Sequence, residues 1–148
     1  MGNIRRDMPV LARHEGHWQG DYIHVDENNR ELDRHKAFLS CQFPDDGPWP
    51  YYQINTYVWD DGRREEIHFP ASYKDKRIWW DTDRIKGSAW EIDERTVVLT
   101  WTRVGEPGTY LYEMIQISED GNDRARTWHW YEGDRLFKRT CIKETRVR

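Results

Sequence analysis

Gly16-His17-Trp18-Gln19-Gly20-Asp21-Tyr22 is the stretch whose reading decides the fold. Successive side chains alternate along an extended strand, so Gly16 and Gly20 share the face of Trp18. Two glycines beside one large ring leave it room to lie across the floor of a closed sheet. The stretch therefore reads as the opening strand, over 17–26, of an antiparallel β-barrel.

Outward from that strand, turn residues divide the chain at regular intervals. Glu27-Asn28-Asn29-Arg30 separates it from a strand over 32–43, and Asp45-Asp46-Gly47-Pro48 precedes one over 51–60. Asp61-Gly62 reads as a two-residue type I′ turn leading into 64–73. Strands over 77–82, 88–93, 96–103, 110–118, 124–131 and 136–146 complete the set. Near the N-terminus, Asp7 and Pro9 ahead of Val10-Leu11-Ala12 predict a short helix within 4–13 that plugs one end. Ten short strands with no helix-period segment between them make an all-β meander, and successive hairpins favour an up-and-down barrel over a sandwich. No linker, repeat or low-complexity segment gives a second domain a start, so 1–148 is expected to be a single barrel domain.

Gly16-His17-Trp18, a glycine-any-tryptophan opening ten short strands, resembles the first-strand signature of the lipocalin-like (calycin) barrels. The resemblance covers the whole chain in architecture and residues 16–22 in motif. That superfamily includes fatty-acid-binding proteins, haem-carrying nitrobindins, small enzymes such as phenolic acid decarboxylases, and bacterial lipocalin-like families of unknown function. It implies a barrel around a ligand cavity, and a late-strand arginine, here Arg139, stacked on the first-strand tryptophan.

Composition narrows the function classes. Of the 148 residues 34% are charged, with a net charge of −4 and basic residues dispersed, which argues against a nucleic-acid partner. No apolar run approaches the ~18 residues of a membrane helix, and residues 1–6 lack a secretory signal, so a cytoplasmic protein without membrane insertion is expected. A homodimer is left open. Nine Trp and eight Tyr against four Phe suit a cavity for a small hydrophobic molecule, aromatic or polyene and partly oxygenated.

Pairing across the turns converts the strands into an interior list, since opposed residues face the same side. Closing the first turn at 26 and 31 sets Tyr22 opposite His35 and Trp18 opposite Leu39, with His24 on the same face. Closing the 93/96 turn sets Trp90 opposite Leu99 and Ser88 opposite Trp101. Carrying that face onward adds Tyr110, Tyr112, Met114 and Gln116, then Thr127, His129 and Tyr131. For 51–60 and 64–73, burial favours Tyr52, Ile54, Val58, Ile67 and Phe69 over Asn55, Tyr57, Trp59, Glu66 and His68. The expected ligand-binding residues are thus Tyr22, His24, His35, Trp90, Trp101, Tyr112, His129, Tyr131 and Arg139.

The chemistry implied is binding first. No histidine pair has zinc-motif spacing and the two cysteines lie far apart, so no metal and no cofactor are expected. His24, His35 and His129 could converge only through the fold. Cys41 and Cys141, two strands apart if the last strand closes on the first, are expected to be free, buried thiols. The alternatives are a small calycin-type isomerase, lyase or decarboxylase using Tyr/His/Arg acid–base chemistry, its catalytic residues unassigned, and a nitrobindin-like haem protein with His129 as axial ligand.

Overall fold

In the computed structural model, residues 3–148 are described; Met1 and Gly2, part of the stretch read for a secretory signal, lie outside them. The predicted helix is two: α1 (Ile4–Asp7) and α2 (Pro9–Ala12). Met8 between them leaves helical geometry because the Pro9 ring disfavours the α region for the residue before it, and Pro9 then opens α2 at a position needing no N–H.

All ten strands form, as β1 (Gly16–Asp26), β2 (Glu31–Gln42), β3 (Tyr51–Val58), β4 (Arg64–Lys74), β5 (Arg77–Asp81), β6 (Ile85–Asp93), β7 (Thr96–Arg103), β8 (Thr109–Ile117), β9 (Asp123–Glu132) and β10 (Arg135–Val147). Each pairs antiparallel with its neighbour in sequence and β10 closes on β1, giving an up-and-down barrel with no free edge. Among the described residues no helix is long and apolar enough to cross a membrane.

The helices cap one end. Met8, Val10 and Leu11 are buried there, the Leu11 amide donates to Glu91 at 2.7 Å, and Trp18 donates its indole N–H to the His14 carbonyl at 3.0 Å. Trp18 is fully buried on this floor, as expected. Its glycines serve a different purpose from the one read in the sequence. A Cβ on Gly20 would lie 2.1 Å from the Lys143 carbonyl and 2.7 Å from Glu144 Cγ, and one on Gly16, whose φ is +123°, would lie 2.9 Å from Arg146 Nη1. Gly20 makes room for the β10 backbone at Lys143 and for Glu144, and Gly16 for Arg146, rather than for the indole.

Register explains which interior assignments hold. Between β1 and β2 the expected pairs Tyr22/His35 and Trp18/Leu39 are present. The 93/96 closure is also present, but a bulge at Ile92 shifts the rest of the β6–β7 ladder by one, so Ala89 faces Leu99 and Gly87 faces Trp101. Trp90 consequently points outward, beneath Arg77. The β7–β8 connection is shorter by one than the continued face requires, and Trp101 opposes Leu111. The β8–β9 pairing itself is as expected, Tyr112 opposite His129, yet both inherit the outer face.

The β3–β4 hairpin departs for the same reason. Its loop spans three residues, Trp59 N–H to Arg63 O with Gly62 at φ +92°, rather than the two-residue turn read at Asp61-Gly62. Asn55 therefore opposes Ile67, and Gln53 opposes Phe69. The interior takes Asn55 and Tyr57 from one strand with Ile67 and Phe69 from the other, leaving Tyr52, Ile54 and Val58 outside.

Candidate functional site

Above the floor the barrel encloses a cavity of about 490 Å³ that opens at the end opposite the helices. Its deep wall is aromatic: Tyr22, Tyr57, Trp101, Trp128 and Trp130, with Ile67 and Phe69 from β4. Tyr22 packs against Tyr57 and edge-on against Trp128, and Trp101 meets Trp130 edge-on. At the mouth stand His24, Asp33, His35, Trp59, Arg103 and Lys138.

Below the cavity lies a buried ion cluster. Arg126 makes a two-pronged bridge to Glu113, 2.5 and 3.2 Å, and donates to the Tyr22 hydroxyl at 2.9 Å. Arg124 donates to Glu144 at 2.7 Å and to His14 Nδ1 at 3.0 Å. A guanidinium only donates, so His14 Nδ1 is the acceptor and His14 is neutral. Burial first, then the Arg124 charge, pushes its pKa well below the ordinary histidine value. Arg124 and Arg146 both lie over the Trp18 ring, at 4.5 and 4.4 Å. The cation expected from Arg139 is supplied by these two; Arg139 is exposed, because it pairs with His129 on the outer face.

The polar tips inside the barrel are connected rather than scattered. On β3, Tyr51 donates to Gln53 at 2.8 Å, Gln53 to Asn55 at 2.8 Å, and Asn55 to the Tyr57 oxygen at 2.9 Å. Burial raises the Tyr57 hydroxyl to about 12, so it stays protonated with its own hydrogen free for an acceptor in the cavity. At the mouth, His24 and His35 approach Nε2 to Nε2 at 3.0 Å, and His24 Nδ1 meets the Thr140 hydroxyl at 2.8 Å. Burial lowers both imidazoles, His24 to about 4. Lys138 is also lowered, first by burial and then by Arg103; its ammonium sits 4.5 Å over Trp130 and takes part in no ion pair among the described residues.

Of the sequence-expected residues, the structure brings Tyr22, His24, His35 and Trp101 to one cavity. Trp90, Tyr112, His129, Tyr131 and Arg139 lie on the outer wall, where Tyr131 stacks on Tyr110 and Tyr112 is half exposed. The expectation of His129 as a haem ligand fails on that geometry. Residues the sequence reading missed are Tyr57, Trp128, Trp130, Lys138 and Asp33. Alternation within 123–132 could have found the two tryptophans: Arg124, Arg126, Trp128 and Trp130 share one face, and only the register decides which. Both cysteines are free; Cys41 is buried inside, whereas Cys141, expected to be buried, is exposed, since the two occupy opposite faces of the sheet.

No protein-family model matches the chain, and no curated protein matches it. Several solved structures share the fold. The S-type phycobiliprotein lyase CPES from Guillardia theta superposes with a TM-score of 0.75 at 13% identity, covering 95% of this chain and 92% of that one. A protein of unknown function from the DUF3598 family of Nostoc punctiforme gives 0.73 at 18% identity over 93% of this chain, which spans about half (49%) of that protein's length. The barrel EF1p2_mFAP2b, bound to DFHBI, gives 0.50 at 12% identity over 93% and 97% of the two chains. With its closed ten-strand meander, N-terminal plug and buried first-strand tryptophan, the chain has the lipocalin-like barrel fold.

Proposed function

We propose that this barrel binds a small, flat, mainly aromatic or polyene molecule carrying an acid group, in the cavity between the tryptophan wall and the open end. The observation that carries the reading is the half-buried Lys138, which lies over Trp130, takes part in no ion pair among the described residues and has Arg103 as a second cation in the same cavity lining. A cation so placed costs free energy unless a ligand anion meets it. Trp128 adds a buried indole N–H with no partner among the described residues, and Tyr57 adds a hydroxyl hydrogen deeper in. Ring burial supplies affinity and these few donors supply orientation. Among proteins of this fold, one is named a phycobiliprotein lyase and another is bound to DFHBI, which accords with use of the interior for small molecules.

The experiment is native mass spectrometry of protein purified without added ligand, followed by release and absorption spectroscopy of any adduct. A conjugated acid should co-purify, and Lys138→Met should reduce its occupancy at least several-fold. Recovery of the bare polypeptide alone, with no adduct formed on incubation with aromatic acids, would count against the reading.

An acid–base enzyme is the second reading, favoured by the His24–His35 contact at the cavity mouth. An enzyme would lose turnover in His35→Gln while keeping affinity, whereas a binder would lose affinity only.

A further inference from the structure

We propose that His24, His35 and Asp33 form a binding site for a divalent first-row transition-metal ion at the rim of the cavity. One ligand atom from each residue can be chosen so that all three lie within 4.8 Å of one another. The fold assembles them from two adjacent strands: His24 is directly opposite Asp33 in the β1–β2 ladder, and His35 lies two residues further along β2, opposite Tyr22. No spacing in the sequence announces the group. A register shift follows directly, so that beyond the His24–Asp33 pair Val25 stands opposite Glu31.

The geometry suits a metal in three respects. Two imidazole nitrogens on a tetrahedral ion with bonds of about 2.05 Å stand roughly 3.3 Å apart, and the two Nε2 atoms already stand 3.0 Å apart, so an ion enters with a shift of a few tenths of an ångström. The remaining ring nitrogens are held from behind. His35 Nδ1 faces the Lys36 carbonyl at 3.4 Å; a carbonyl only accepts, so the proton sits on Nδ1, and the Nε2 lone pair, which accepts from His24 Nε2–H, turns to an ion once His24 carries its proton on Nδ1 toward Thr140 Oγ1. His24 Nδ1 meets Thr140 Oγ1, which is itself fixed by the Trp130 indole N–H at 3.1 Å. Such outer partners orient metal-bound histidines.

The carboxylate is positioned too. The Trp59 indole donates to both Asp33 oxygens, at 3.2 and 2.9 Å, leaving lone pairs on each for an ion. Two imidazoles and one carboxylate select zinc, cobalt, nickel or iron(II) over magnesium or calcium, which prefer all-oxygen sets. All three residues line the cavity, so the open coordination positions face the space within it.

The test is a Co²⁺ titration of the full chain, followed by isothermal calorimetry and visible absorption, with no organic ligand present. One Co²⁺ per chain should bind and develop ligand-field bands. Asp33→Asn and His35→Gln should each weaken binding at least tenfold; if His35→Gln fails to fold, Asp33→Asn at the rim carries the test. His68→Gln removes an outer-surface histidine paired with Glu66 and should leave binding unchanged. Absence of saturable binding, or binding lost in His68→Gln and kept in Asp33→Asn, overturns the proposal.

Discussion

The two ends of the barrel interior are both polar, yet they handle polarity in opposite ways. At the floor, two arginines and two glutamates neutralise one another in full burial: Arg126 with Glu113, Arg124 with Glu144. At the mouth, Lys138 takes part in no ion pair among the described residues, the histidines meet each other, Thr140 and the Lys36 carbonyl, and a cavity lies between them and the aromatic wall. Charges that are paired where nothing can enter serve the scaffold; unpaired groups beside open space are what a ligand meets. On the proposed reading, the mouth is the end that works.

The largest effect should come from breaking the floor. Glu113→Gln leaves Arg126 buried beside a neutral amide, and removing one partner of a buried pair typically costs about 3–5 kcal/mol. Chemical denaturation should show that loss, together with little change in any ligand's relative affinity for the protein that remains folded. A variant at the floor that keeps its stability but loses ligand would erase the distinction between the two ends. Trp18→Ala belongs to the same class, at about 3–5 kcal/mol for a buried large-to-small change.

A smaller effect comes from acid. His14 is neutral in the folded protein with its pKa held well below its unfolded value, as is His24, to about 4. Below roughly pH 6.5 the unfolded chain takes up protons that the folded chain refuses, so stability is fully present above that pH and is lost as the pH falls. The slope from His14 alone is about 1.4 kcal/mol per pH unit. Denaturation midpoints measured from pH 8 to pH 5 should be level at first and then decline, and His14→Gln should flatten the decline. Stability that rises on acidification would mean that His14 is charged in the fold.

The smallest expected effect is none at all. Cys41 and Cys141 face opposite sides of the sheet, so dithiothreitol should leave the melting temperature unchanged. A drop of several degrees would contradict the barrel closure.

How much of this was legible beforehand follows the same division. Strand existence and barrel closure could be read because turn residues and Gly16-His17-Trp18 are local signals; the β1–β2 pairs came out as expected although the turn closes at 26 and 30 instead of 26 and 31, because a register shift between His24 and Val25 compensates. Facing was lost wherever one residue entered or left a connection: the bulge at Ile92, the third loop residue at Gly62, the shorter β7–β8 turn. Side-chain direction has period two, so each single-residue error inverted a whole strand and sent Trp90, Tyr112, His129 and Tyr131 to the wrong side. Burial preference could not correct it. The true interior of β8 and β9 carries Glu113, Arg124 and Arg126, residues almost never fully buried unless paired, and that pairing exists only in three dimensions.

The most direct test of the central claim sets the two walls against each other. The naphthalene sulfonate probe ANS, flat, aromatic and anionic, is titrated into the wild type, Trp101→Ala in the cavity and Tyr112→Ala on the outer wall, with tryptophan emission recorded. The account predicts saturable quenching in the wild type, at least a tenfold weaker affinity in Trp101→Ala with only a modest loss of stability, and no change in Tyr112→Ala. Affinity unchanged in Trp101→Ala and lost in Tyr112→Ala would place the binding surface on the outside of the barrel and contradict it.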